Sequence, residues 1–91
     1  MNLKDLTKEL FMWSKTNKEQ LGFVQDWEYR FDIRWDTLGY IYSIEILEAD
    51  EGHVLAGANG RRVDDAVEQV ALRLPEAFDS WGWPSEFPVR K

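Results

Sequence analysis

Few side chains in this chain are equipped for chemistry, and they do not form a set. His53 is the only histidine, cysteine is absent, and the serine nucleophiles available are Ser14, Ser43, Ser80 and Ser85. None of the four lies in the Gly-x-Ser-x-Gly elbow that exposes a nucleophile on a strained strand-to-helix turn. Gly57-Ala58-Asn59-Gly60 runs into Arg61-Arg62, not into the Lys-Ser/Thr that completes a phosphate-binding loop. Asp50-Glu51 has the right atoms for a divalent cation but lacks the surrounding spacing of a calcium loop. His53 has no ligand-spaced companions in the sequence. The expectation is a protein that is not an enzyme and needs neither cofactor nor metal.

What the sequence does concentrate is charge. Residues 23–52 hold Asp26, Glu28, Asp32, Asp36, Glu45, Glu48, Asp50 and Glu51 against Arg30 and Arg34, and so carry the whole formal net charge of -6. Phosphate recognition needs Lys and Arg to replace condensed counterions, so direct nucleic-acid binding is disfavoured and a basic protein surface is the expected partner. No apolar run approaches the ~18 residues of a membrane span. Lys4 and Asp5 fall where a signal peptide needs an apolar stretch, and a cytoplasmic protein without membrane contact is expected.

The elements that must position these charges follow from hydrophobic period. In residues 3–15, Leu3, Leu6, Leu10 and Trp13 recur at three- and four-residue steps, which predicts an amphipathic helix. Residues 14–20 are polar. Trp27, Tyr29, Phe31, Ile33 and Trp35 then alternate with Glu28, Arg30, Asp32 and Arg34 across 23–35. A period of two predicts a strand with a core face and a wet face, so the aromatic stripe is expected in the core. Asp36-Thr37-Leu38-Gly39 has turn chemistry. A second strand over 40–48 places Tyr40, Tyr42, Ile44 and Ile46 on one face, with Ile41, Ser43, Glu45 and Leu47 on the other.

Asp50-Glu51-Gly52 is a second turn. Residues 53–58 form a short strand whose Ala56, Gly57 and Ala58 imply close packing. A second helix is expected from Val63 to Leu74, with Asp64 and Asp65 in the first turn, where the helix dipole favours them. Pro75 should end it and open a separate turn over 76–80.

A chain of 91 residues is one domain, since domains usually run to roughly 100–200 residues. The fold expected is α+β: a two-layer sandwich in the order helix, three-stranded antiparallel meander, helix (αβββα), with a short C-terminal helical turn. Residues 1–80 form the domain and 81–91 an aromatic, Pro-containing tail packed on it.

That element order is also the order of double-stranded-RNA-binding domains, which grip phosphate with a basic cluster opening the second helix. Here Asp64 and Asp65 follow Arg61-Arg62 at once, against RNA binding. Residues 39–74 resemble the HicB-like antitoxin core through Gly60-Arg61-Arg62-Val63-Asp64-Asp65-Ala66 at the helix start, which implies an antitoxin or immunity protein. The opening Met1-Asn2-Leu3-Lys4-Asp5-Leu6, the three strands, Val67-Glu68-Gln69-Val70 and the aromatic acidic tail resemble the small type II-A anti-CRISPR proteins of phages. That resemblance implies an inhibitor that blocks the DNA-reading site of a host defence nuclease with its carboxylates.

Charge placement makes Asp26, Asp36, Glu48, Asp50 and Glu51 the candidate phosphate mimics. In the tail, Trp83 and Phe87 join them as candidate partner contacts, because exposed aromatic residues near a terminus mark interaction sites. The leading expectation is a small acidic inhibitor that docks on a basic, nucleic-acid-binding host protein through its acidic hairpins. The other readings are an antitoxin, and an assembly subunit that forms a homodimer through its aromatic tail.

Overall fold

The computed structural model describes residues 1–22 and 26–87 and shows a helix, three antiparallel strands in one sheet and a helix. The elements are α1 (Leu3–Thr16), a single turn α2 (Lys18–Leu21), β1 (Trp27–Asp36), β2 (Gly39–Glu48), β3 (Val54–Gly60) and α3 (Val63–Ser80). The sheet runs β1-β2-β3, so β1 and β3 are its edges. Phe23, Val24 and Gln25 at the start of the expected strand lie outside the described residues, as do Pro88, Arg90 and Lys91 of the tail.

Each helix begins and ends for local reasons. The Asn2 side chain caps α1, its Oδ1 accepting the Asp5 N–H at 2.8 Å, and the Asn17 N–H closes the other end on Trp13 O. The α1 stripe of Leu6, Leu10 and Trp13 is buried. Leu21, directly after the polar stretch 14–20, is buried as well, and α2 forms where no helix was expected. Pro75 does not end α3, which runs unbroken to Ser80. Proline removes one intrahelical N–H, but Leu74 and Phe78 are both fully buried one helical turn apart, and their packing carries the helix through.

The core lies between one face of the sheet and the two long helices. Ile44 and Ile46 of β2 meet Leu6 and Leu10 of α1 and Val67, Val70, Leu74 and Phe78 of α3 in one cluster. The small residues of β3 let α3 come close: a Cβ on Gly60 would lie 2.7 Å from the Ala66 nitrogen. A bulge interrupts the β2–β3 ladder between Ile46 and Leu47. The tail packs here too, with Trp83 N–H donating to Phe78 O at 2.9 Å. Trp13 stacks on Phe78 at 3.7 Å between ring centroids, and Phe87 meets the Phe78 edge at 5.7 Å.

The aromatic stripe of β1 is only partly in this core. Trp27 and Tyr29 pack against it, whereas Phe31, Ile33 and Trp35 are 51%, 61% and 77% exposed. The last β2–β3 pair is Tyr42 with Gly60, and the chain turns into α3 three residues later. Trp35 and Tyr40 lie beyond that pair and overhang the second layer, whereas Phe31 and Ile33, opposite Ile44 and Tyr42, are exposed on the edge strand. Ten residues of strand span roughly 33 Å at ~3.3 Å each, and the whole molecule is elongated, 46 × 29 × 22 Å. No described helix is long and apolar enough to cross a membrane.

Candidate functional site

The β2–β3 turn is where the acidic residues gather. β2 ends at Glu48, and the chain returns through Ala49-Asp50-Glu51-Gly52-His53. Gly52 has φ +76°, a conformation that costs glycine little. Glu48 N–H donates to His53 O at 3.0 Å, and Gly52 N–H donates to Glu48 O at 3.1 Å. The Glu48 carboxylate, 1% exposed, then accepts three backbone N–H groups: Asp50 at 3.0 Å, Glu51 at 2.9 Å and His53 at 2.9 Å. The His53 bond, followed by those from Glu51 and Asp50 and by the His53 ring, outweighs burial and holds this carboxyl below the usual glutamate range.

Glu48 is therefore no contact for a partner, contrary to its reading as a phosphate mimic. Burial takes it off the surface, and the backbone of its own turn uses its oxygens. What it does is fix the shape of the turn. Asp50 and Glu51 consequently stand exposed on a clamped loop. Asp26 is exposed beside them, since its backbone carbonyl accepts the Ala49 N–H at 3.0 Å. Four of the five candidate carboxylates share one end of the sheet, three of them exposed and Glu48 buried beneath them.

Asp36 does not join them. It closes the other end of the hairpin, the length of β1 away, where its oxygens bond both Arg61 guanidinium nitrogens at 2.9 Å. Together with the Leu38 N–H, the guanidinium holds its pKa down at about 2. That pair ties the overhanging tip to the start of α3. Trp83 and Phe87 are likewise unavailable, both buried in the core cluster, so the tail presents neither as a partner contact. Of the tail's tryptophans, Trp81 remains exposed. Tail residues near a terminus are buried here because Trp13 and Phe78 offer a stacking surface that the sequence does not reveal.

The turn also brings oxygens of Glu48 and Glu51 and a nitrogen of His53 within 4.8 Å of one another. His53 Nδ1 lies 3.3 Å from Glu48 Oε1 and 3.4 Å from Glu51 Oε2. A cation there would compete with three N–H bonds for the Glu48 lone pairs, so the grouping works as a turn clamp rather than a metal cradle. Ser14 Oγ accepts the Trp27 indole N–H at 2.6 Å, and Ser43 Oγ bonds Asn59 Oδ1 at 2.6 Å. Neither hydroxyl is bonded to the imidazole.

The second exposed feature, which the reading of the stripe as core passed over, is the bare hairpin end. Phe31, Ile33, Trp35 and Tyr40 line it, and it continues into an apolar cleft of about 160 Å³ against Val63 and Val67. Strand length signals its Trp35 and Tyr40 part, because ten-residue strands outrun a seven-residue third strand, and Phe31 and Ile33 are exposed because β1 is an edge strand. No family model matches this chain, and neither the curated proteins nor the solved structures hold a match to it.

Proposed function

We propose that this chain is a non-enzymatic inhibitor that binds a basic, nucleic-acid-reading surface of another protein through its acidic end. The observation that carries the reading is the Glu48 clamp. A buried carboxylate spent on three N–H groups of one turn keeps Asp50 and Glu51 displayed, with Asp26 alongside. A rigid array of carboxylates binds with less loss of conformational entropy than a floppy one. Its field also steers a basic partner at long range. The sequence resemblance to phage anti-CRISPR proteins suggests a host defence nuclease complex as the partner, and the surplus of carboxylates argues against nucleic acid as the direct ligand.

The test is capture from host lysate with the purified protein, washed at low and high salt, beside the variant Asp50→Lys/Glu51→Lys. The expected result is a basic nucleic-acid-binding protein retained at low salt, released at high salt and lost with the variant. Capture that neither salt nor the double reversal alters would reject the acidic end as the binding face.

A further inference from the structure

We propose that two copies of this chain join through the outer edges of β1, antiparallel about a two-fold axis at Phe31, into one continuous six-stranded sheet. This inference does not rest on the acidic-end reading: Asp50 and Glu51 take no part in the pairing, and Asp26 lies only at its margin.

Its first basis is the edge itself. Among the described residues, no strand pairs with the outer side of β1, and the strand runs ten residues without a proline or a bulge. Long free edges of this kind template pairing with another chain, and natural proteins usually blunt them. Here the edge is flanked by the bare Phe31, Ile33 and Trp35.

The second basis is charge, and it selects the occupant. The wet face of β1 reads Glu28, Arg30, Asp32, Arg34, with signs strictly alternating. With the axis at Phe31, Glu28 faces the second copy's Arg34 and Arg30 faces the second copy's Asp32, and symmetry repeats both. All four charges meet their opposites. Moving the axis to Arg30 sets that arginine against itself and Glu28 against Asp32. Moving it to Asp32 sets Asp32 against itself and Arg30 against Arg34. Like charges directly opposite are unfavourable, and an axis between residues would put apolar side chains opposite charged ones. Setting the axis at Ile33 also matches signs, but it shortens the overlap. At the ends of the Phe31 register Asp26 faces the second copy's Asp36, whose charge Arg61 offsets.

The third basis is cover. On the core face this register sets Phe31 against itself, Tyr29 against Ile33 and Trp27 against Trp35. α1 stands over the Trp27 end of β1, where Ser14 bonds the Trp27 indole and exposed Phe11 lies beside Trp27 and Tyr29. The pairing therefore brings the helix-covered end of one chain against the bare end of the other. A closed isologous contact of this kind uses up the β1 edge of both chains and leaves β3 as the two outer edges of the six-stranded sheet.

Light-scattering mass determination in solution tests the pairing. One chain is 10.7 kDa, and the expected species has twice that mass. Arg30→Glu/Arg34→Glu makes the face wholly acidic, and Glu28→Arg/Asp32→Arg makes it wholly basic. Each variant alone should be monomeric with an unchanged circular dichroism spectrum, and an equimolar mixture should recover the doubled mass. A wild-type protein that stays monomeric at 100 micromolar, roughly 100 times a micromolar dissociation constant, overturns the proposal and leaves the face to a different protein. Variants that still dimerise separately, or a mixture that stays monomeric, overturn the register.

Discussion

The two ends of the β1–β2 hairpin carry the same alternation of apolar and polar residues. At one end, Ile44 and Ile46 are sealed beneath α1 and α3. Toward the Asp36–Gly39 turn and along the β1 edge, Phe31 (directly opposite Ile44), Ile33, Trp35 and Tyr40 lie largely in solvent. Alternation sets which side of a pleat a residue faces, but it says nothing about whether another layer covers that side. Cover depends on where the helices land. α3 starts just after β3 pairs with Tyr42, and α1 is held at the Trp27 end by the Ser14 hydroxyl. One end of the hairpin is thus a core and the other a surface able to bind.

The comparison is broken most directly by making one substitution in both regions. Phe78→Ala removes a ring packed on Trp13, Trp83 and Phe87 and should cost ~3–5 kcal/mol of unfolding free energy. Phe31→Ala, at the bare end, should cost about 1 kcal/mol or less. Urea denaturation at low protein concentration, where chains are separate, measures both. Equal losses would mean that the bare end is covered within a single chain.

Gly60→Ala probes the junction between the two regions. Its new methyl group would lie against the Ala66 nitrogen, which is backbone and cannot swing aside. Overpacking of this kind costs ~1–3 kcal/mol, and the urea midpoint should fall accordingly. An unchanged midpoint would mean that α3 can move away from β3 at no cost.

Glu48→Gln sharpens the account of the acidic end. The amide keeps the size of the side chain but loses the charge and one acceptor oxygen. The amides of Asp50, Glu51 and His53 should exchange with solvent faster, read by hydrogen exchange, and unchanged protection would remove the clamp. The pH dependence follows with its sign. A carboxyl whose folded pKa is depressed contributes stability above its unfolded pKa, and that contribution is lost as pH falls through the folded value. The wild-type protein should therefore lose stability below pH 4.5 as Glu48 takes up its proton. Asp36 adds a further loss between 3.8 and about 2. Glu48→Gln and Asp36→Asn should each flatten part of that acid limb.

The smallest effect belongs to the exposed pairs of the sheet face. Arg30 and Glu45 approach to 3.5 Å and Arg34 and Asp32 to 3.7 Å, all of them well exposed. Such pairs are worth roughly 0–1 kcal/mol. Glu45→Gln should hardly move the urea midpoint, and a large drop would mean that this face is organised by more than cross-strand charge.

Much of this molecule is legible in its residues alone. The 3.6-residue period of Leu6, Leu10 and Trp13, the two-residue period from Trp27 to Trp35, and the glycines at the turns specify an αβββα order because each is a local geometric demand. The concentration of carboxylates in 23–52 is equally plain. The uses of individual residues are not. Glu48 and Asp50 are both acidic residues beside a turn, yet one is buried as the clamp and the other displayed. The difference depends on which of them the turn directs inward. Trp83 and Phe87 look like free aromatic residues near a terminus until the Trp13–Phe78 stack takes them in. The stripe on β1 looks like core until the reach of the helices is known. The long helices, the three strands, their order and the side each residue faces follow from local sequence, because backbone geometry and side-chain period act over a few residues; the turn α2 and the run of α3 through Pro75 do not. Only the tertiary structure decided which faces were covered and which carboxylates remained free, because cover and capping depend on residues distant in the chain meeting in space.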